Sequence, residues 1–167
     1  VATSAMRDAS NGSEIIVRAK KESGLEVEII DGKLEAALVF SNHIEGILNP
    51  KYAYLYIDVG GGSTELTLYF NQKVIAAKSF NIGTVRMLLN KVDKEEWDEM
   101  KAWLKRSTVG IHPLYAIGSG GNINKIFKMT NKKETNHISY EKLKGLYDLL
   151  CSYTYEERIE RLGLKPD

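Results

Sequence analysis

The chain has 167 residues, with 23 Lys and Arg against 22 Asp and Glu, so its net charge is only +1. That balance excludes a global field that would gather a nucleic-acid polymer or a membrane surface, and any polyanion must be held by local arrangement. At 43% hydrophobic and 27% charged residues the composition is that of an ordinary globular protein with one good core or parts of two. The sequence holds no apolar run long enough to span a bilayer and no signal peptide. Its single cysteine, Cys151, rules out an intrachain disulfide framework and points to a reducing cytoplasm, with Cys151 read as a small core residue. His43, His112 and His137 lack zinc-type spacing and read as structural or surface residues.

From the N-terminus, Val1 opens in a segment that reads as a strand already under way. Asn11 and Glu14 have capping-box spacing for a helix that runs to about Glu22 and stops at Gly24. Leu25, Val27 and Ile29 alternate with Glu26 and Glu28 as a half-buried strand, broken by Asp31-Gly32, and Leu34, Ala37, Leu38 and Ser41 follow at helical spacing. Strand, helix, strand, helix favours an α/β domain. His43 to Lys51 reads as a linker.

Beyond it, a strand from Tyr52 to Val59, a second from Thr64 to Phe70, an Asn71-Gln72 turn and a third from Lys73 to Phe80 predict a β-meander. Gly83 to Asn90 reads as helical. Asp93 and Glu96 suggest another capping box, for a helix whose buried stripe is Trp97, Met100 and Leu104. Leu114 to Ile117 reads as a short buried strand, followed by a helix carrying Ile123, Ile126 and Phe127. Ser139 caps a helix with Leu143, Leu146 and Leu150 inward. Thr154 and Glu157 cap a last helix, which ends at Gly163. Residues 1–45 and 52–167 are the expected domains, and both chain ends read as cuts within a longer protein.

Two glycine loops carry the chemistry. The first is Asp58-Val59-Gly60-Gly61-Gly62-Ser63-Thr64-Glu65. Three glycines allow positive φ and close approach to a ligand, and their N–H groups suit an anion. Ser63 and Thr64 add hydroxyls, and the carboxylates of Asp58 and Glu65 suit a divalent cation that also holds phosphate oxygens. A tight hairpin with two solvated acids is the plain alternative. The second loop, Gly118-Ser119-Gly120-Gly121-Asn122, joins a strand to a helix and aims helix N-terminal N–H groups at an anion. It is neither a Walker A loop nor a full dinucleotide fingerprint.

In this order the two loops resemble the second domain of the actin-like phosphotransferase superfamily, and within it the exopolyphosphatase and guanosine pentaphosphate phosphohydrolase family. The stretch from Val1 to Ala9 resembles that family's segment with a phosphate-facing arginine, here Arg7. Glu28 to Ala36 resembles the strand–turn–helix bearing its catalytic glutamate, here Glu35, with Leu34 and Ala37 departing from the family's glutamate and arginine. Asp58 to Glu65 and Gly118 to Gly121 match its two glycine motifs. Gly83-Thr84-Val85-Arg86 resembles a further family segment, with no role assigned to Arg86, and Ser139 to Asp167 resembles the run toward the end of the second domain.

The resemblance implies an actin-like (ribonuclease H-like) α/β fold holding the end of the first domain and most of the second. It also implies hydrolysis of the terminal phosphate of inorganic polyphosphate or guanosine pentaphosphate, with the family's first phosphate loop outside this chain and the isolated piece inactive. Glu35 would act as general base on water. Arg7, Gly60, Gly61, Gly62, Ser63, Thr64, Gly118, Ser119, Gly120 and Gly121 would bind phosphate. Asp58 and Glu65 would hold Mg²⁺ or Mn²⁺. No nucleic-acid polymer or membrane is an expected partner, and the resemblance allows, without fixing, a homodimer of the full-length protein. An actin-fold kinase and a non-catalytic phosphate or nucleotide sensor are the competing classes. A water-activating Glu35 argues against the kinase, and the departures at Leu34 and Ala37 favour the sensor.

Overall fold

The structure is a computed structural model that describes residues 1–32, 34, 35, 38, 48–71, 73–130 and 137–164. The expected linker therefore lies largely outside the described residues, as do Ala37, Ser41, His43 and Gln72. The described chain divides into two compact units, Val1–Gly118 and Ser119–Asp167.

The first unit is built on a four-stranded sheet in the order β3-β2-β1-β4, formed by β1 (Ala53–Val59), β2 (Thr64–Phe70), β3 (Lys73–Phe80) and β4 (Leu114–Ser119). The first three strands form the expected antiparallel meander. Asn71 makes the β2–β3 turn with φ of 50°, a left-handed conformation that Asn tolerates. β2 is buried on both faces. Leu66 and Leu68 join Leu55, Phe80 and Ile82 in the main core, covered by Trp97, Met100, Trp103 and Leu104 of the helix Lys94–Ser107. Trp103 meets Phe80 edge-on at 6.0 Å. On the opposite face Tyr56 and Tyr69 pack with Leu48, Tyr54 and Ile117. Burial pushes the Tyr69 phenol up to about 12. β4 is less buried than its sequence suggests, with Tyr115 half exposed beside Tyr52 and Tyr54.

The N-terminal segment holds α1 (Ser4–Asp8) and α2 (Gly12–Ser23), and α2 ends at Gly24 with φ of 72°. The two strands expected around α2 contract to one parallel bridge, Ala2 to Ile29, made by the Ala2 N–H to Glu28 and the Ile30 N–H to Ala2. Leu25 stays exposed. Alternation there marks an extended segment with a single bridging partner. The Asn11–Glu14 capping box is also absent, because Asn11 (φ −106°, ψ 15°) is not in the extended conformation that aims a cap side chain at the first turn.

Two more helices follow β3: α3 (Thr84–Leu88) and α4 (Lys94–Ser107). Asp93 makes no side-chain cap on α4, and the Glu96 side chain, which in a capping box would accept from the Asp93 N–H, turns instead to the backbone N–H and side-chain amide of Asn81 at 3.3 Å. The second unit contains α5 (Gly121–Met129), α6 (Tyr140–Ser152) and α7 (Tyr155–Leu162). Here the caps agree with the sequence: Ser139 accepts from Lys142, and Thr154 with Glu157 forms a complete capping box. Leu146 and Leu150 are half-buried, but Leu143 is exposed. Cys151 is exposed rather than a core residue, because it falls on the outer side of a helix covered on one face only.

Candidate active site

The glycine turn between β1 and β2 closes through the Gly60 N–H, which donates to the Ser63 carbonyl at 2.9 Å. None of Gly60, Gly61 and Gly62 adopts the positive φ expected from sequence. Closeness explains the glycines instead. A Cβ on Gly62 would lie 2.6 Å from the Ser4 hydroxyl of α1, and one on Gly61 would lie 3.2 Å from Val85.

α3 takes up the carbonyls of all three glycines. Thr84 N–H donates to Gly60 at 3.0 Å, Val85 N–H to Gly61 at 2.9 Å, and Arg86 Nε to Gly62 at 2.6 Å. In a trans peptide the carbonyl of one residue and the N–H of the next point in opposite directions. The N–H groups of Gly61, Gly62 and Ser63 therefore face away from α3, where an anion can receive them. Thr64 is buried and its hydroxyl donates to the Ile82 carbonyl at 2.6 Å, so its donor anchors the exit of the turn.

Asp58 and Glu65 leave the turn on opposite strands and pair directly in the β1–β2 register. Glu65 is buried, and its Oε1 accepts from Ser79 Oγ at 2.9 Å, a contact that sequence reasoning missed. Glu35 enters from the N-terminal segment. The Asp31 carboxylate accepts from the Leu34 N–H at 2.8 Å and its carbonyl from the Glu35 N–H at 3.0 Å, so Asp31 starts the helical turn bearing Glu35. The D-G turn signal was visible in sequence, but this capping role was not drawn from it.

Glu35 Oε2 is buried and accepts no hydrogen bond among the described residues. Arg7 Nη2 lies 3.9 Å from it, while Arg7 Nη1 donates to the Ile30 carbonyl. Burial pushes the Glu35 carboxyl above its ordinary value. Glu65 pushes it further, Arg7 opposes, and Asp58 adds a smaller upward push. The fold thus brings Arg7, Glu35, Asp58 and Glu65 into one electrostatic neighbourhood. Of the second loop, Gly118 ends the first unit, while Ser119, Gly120 and Gly121 open the second. Gly120 precedes α5 with φ of 103°, a conformation that favours glycine.

Among the described residues no three acidic, histidine or cysteine side chains form a complete metal cage. Two carboxylates on one sheet face nonetheless fit Mg²⁺, which keeps several waters and takes phosphate oxygens alongside one or two protein carboxylates.

The architecture is the actin-like α/β fold. The chain belongs to the Ppx/GppA phosphatase family, whose model matches residues 1–167. It is 36% identical over 88 residues to a guanosine-5'-triphosphate,3'-diphosphate pyrophosphatase of Pseudoalteromonas translucida, covering 53% of this chain and 18% of that protein. It is 33% identical over 86 residues to exopolyphosphatase 1 of Mycobacterium bovis, covering 52% and 25%. An exopolyphosphatase structure from Cytophaga hutchinsonii superposes with a TM-score of 0.75 at 25% identity, covering 98% of this chain and 60% of that one. The matches thus span a quarter or less of these curated relatives. Among the described residues no helix is long and apolar enough to cross a membrane.

Proposed function

We propose that this chain carries the catalytic centre of a phosphohydrolase that releases the terminal phosphate of inorganic polyphosphate or guanosine pentaphosphate. One observation carries the reading. Glu35 is a part-buried glutamate with an oxygen that accepts no hydrogen bond among the described residues, and it is set among Arg7, Asp58 and Glu65. A structural glutamate would bring a partner to that oxygen. A general base needs it open for water.

Phosphoryl transfer to water is mostly positioning and charge neutralisation. The outward N–H groups of Gly61, Gly62 and Ser63 would hold the terminal phosphate. The Arg7 guanidinium, already turned toward Glu35, would bind phosphate oxygens and orient the carboxylate. Glu35 Oε2 would accept a proton from the attacking water as its oxygen bonds to phosphorus and the bridging oxygen leaves with the P–O electron pair. Asp58 and Glu65 would hold Mg²⁺, or Mn²⁺ in its place; when bound, the ion supplies charge neutralisation at the phosphate oxygens. Phosphate binding by Ser119, Gly120 and Gly121 rests on the family resemblance alone. We read the enzyme as cytoplasmic, on the family resemblance and the single thiol, and as able to form a homodimer at full length, on the resemblance alone.

The test is phosphate release by the full-length protein with Mg²⁺, from long-chain polyphosphate and from guanosine pentaphosphate in parallel, for the wild type and Glu35→Gln. Release that Glu35→Gln abolishes supports the reading and names the preferred substrate. Binding without release by the wild type favours a sensor.

A further inference from the structure

Arg86 binds on two sides. Its Nε donates to the Gly62 carbonyl at 2.6 Å, and its terminal nitrogen pairs with the Asp8 carboxylate. Asp8 is the last residue of α1 and follows Arg7 directly. Ser4 at the other end of α1 lies against Gly62 so closely that a methyl group there would meet its hydroxyl at 2.6 Å. α1 therefore touches the glycine turn directly at Ser4 and through Arg86 at Asp8. Arg86 is held more tightly than Arg7: it hydrogen-bonds both a carbonyl and the Asp8 carboxylate, whereas Arg7 hydrogen-bonds the Ile30 carbonyl and stands 3.9 Å from the Glu35 carboxylate, so more of the Arg86 fork is occupied.

We propose that Arg86 is a positioning residue that latches α1 to the glycine turn, so that Arg7 and the turn amides keep one mutual geometry. Its effect on turnover rests on the phosphohydrolase reading above, whereas the latch itself does not. Asp8 and Arg86 lie 78 residues apart in sequence, so the pair fixes a long-range relationship that neither α1 nor the β1–β2 hairpin sets alone. Removing it leaves both elements folded and lets their separation vary.

The experiment uses the full-length protein with Arg86→Met, Arg86→Lys, Asp8→Asn and the Arg86→Met/Asp8→Asn double variant. The first readout is amide hydrogen exchange. Arg86→Met should speed exchange both in α1 and at residues 60–63, leave α4 unchanged, and be partly reversed in Arg86→Lys. The second readout is turnover of polyphosphate with Mg²⁺. A geometric slip of about 1 Å is enough to slow a positioned reaction substantially, so kcat should fall about tenfold or more with KM within about twofold. The double variant should be no worse than Arg86→Met alone, because both changes open the same latch.

Unchanged exchange in α1 overturns the proposal. So does faster exchange throughout α4, which would mean general destabilisation, or a raised KM at constant kcat, which would mean direct substrate binding by Arg86. If the wild type releases no phosphate, the phosphohydrolase reading fails while the exchange result still decides the latch.

Discussion

Asp58 and Glu65 stand directly opposite each other across the β1–β2 ladder, two carboxylates on one face of the sheet. Like charges in that relation destabilise a hairpin, so the pair is costly unless a cation lies near. Asp58→Asn should therefore raise stability by about 0.2–1 kcal/mol in Mg²⁺-free buffer while abolishing the Mg²⁺ dependence of turnover. Denaturant unfolding and calorimetric Mg²⁺ titration check the two halves separately. A variant that loses stability and still titrates Mg²⁺ normally refutes the assignment.

Glu35→Gln keeps the shape of the side chain and removes its basicity. General base catalysis contributes about 10²–10⁴-fold, and turnover should fall by about that factor with KM little changed. Steady-state kinetics on polyphosphate reads this directly.

The raised Glu35 carboxyl makes activity and stability run in opposite directions with pH. With Glu35 as the proposed general base, activity needs its carboxylate, so the acid limb should rise with a midpoint above the ordinary glutamate value. In the folded chain the group holds its proton more tightly than in the unfolded chain. Its stabilising contribution is therefore fully present below the unfolded value, about 4.3, and is lost as pH rises through the folded value. Glu35→Gln should accordingly match the wild type in stability at about pH 4 and exceed it at about pH 7.5. Unfolding midpoints at the two pH values decide it.

Thr64 is a test of architecture rather than chemistry. Thr64→Val removes a buried 2.6 Å donor to the Ile82 carbonyl and leaves that carbonyl without it, which should cost about 1–3 kcal/mol. Val is close in shape, so thermal unfolding isolates the lost hydrogen bond.

Gly83→Ala should be harsher than Gly62→Ala. At Gly83 the new methyl would lie 2.3 Å from the Gly61 carbonyl oxygen, which is backbone, whereas at Gly62 it first meets the Ser4 hydroxyl, which can rotate. A loss of about 1–3 kcal/mol is expected for Gly83→Ala, and Ser4→Ala should relieve part of the smaller Gly62→Ala loss. Equal losses at the two positions would contradict this account.

The meander, the helix stripe of Trp97, Met100 and Leu104, and the Thr154–Glu157 cap were legible because each follows from a local pattern. The motif residues Arg7, Glu35, Asp58 and Glu65 were legible as types, and the chain does bring them together. What stayed hidden was relational. No sequence pattern says that α3 will occupy the three glycine carbonyls, that Ser79 will hold Glu65, or that Glu96 will leave its helix start for Asn81. The Leu25–Ile29 alternation misled because alternation reports an extended chain, while a strand also needs a neighbour along its length.

Ser79 touches two parts of the site at once. Its hydroxyl holds Glu65, and a Cβ on Gly32, three residues before Glu35, would sit 2.9 Å from its own Cβ. Gly32 is thus a spacer of zero thickness between the Glu35 turn and the sheet. Any side chain there would push the Glu35 turn outward and widen the gap between Glu35 and the two acidic groups that raise its carboxyl. The reach of Glu35 across the site is set by an atom that is not there.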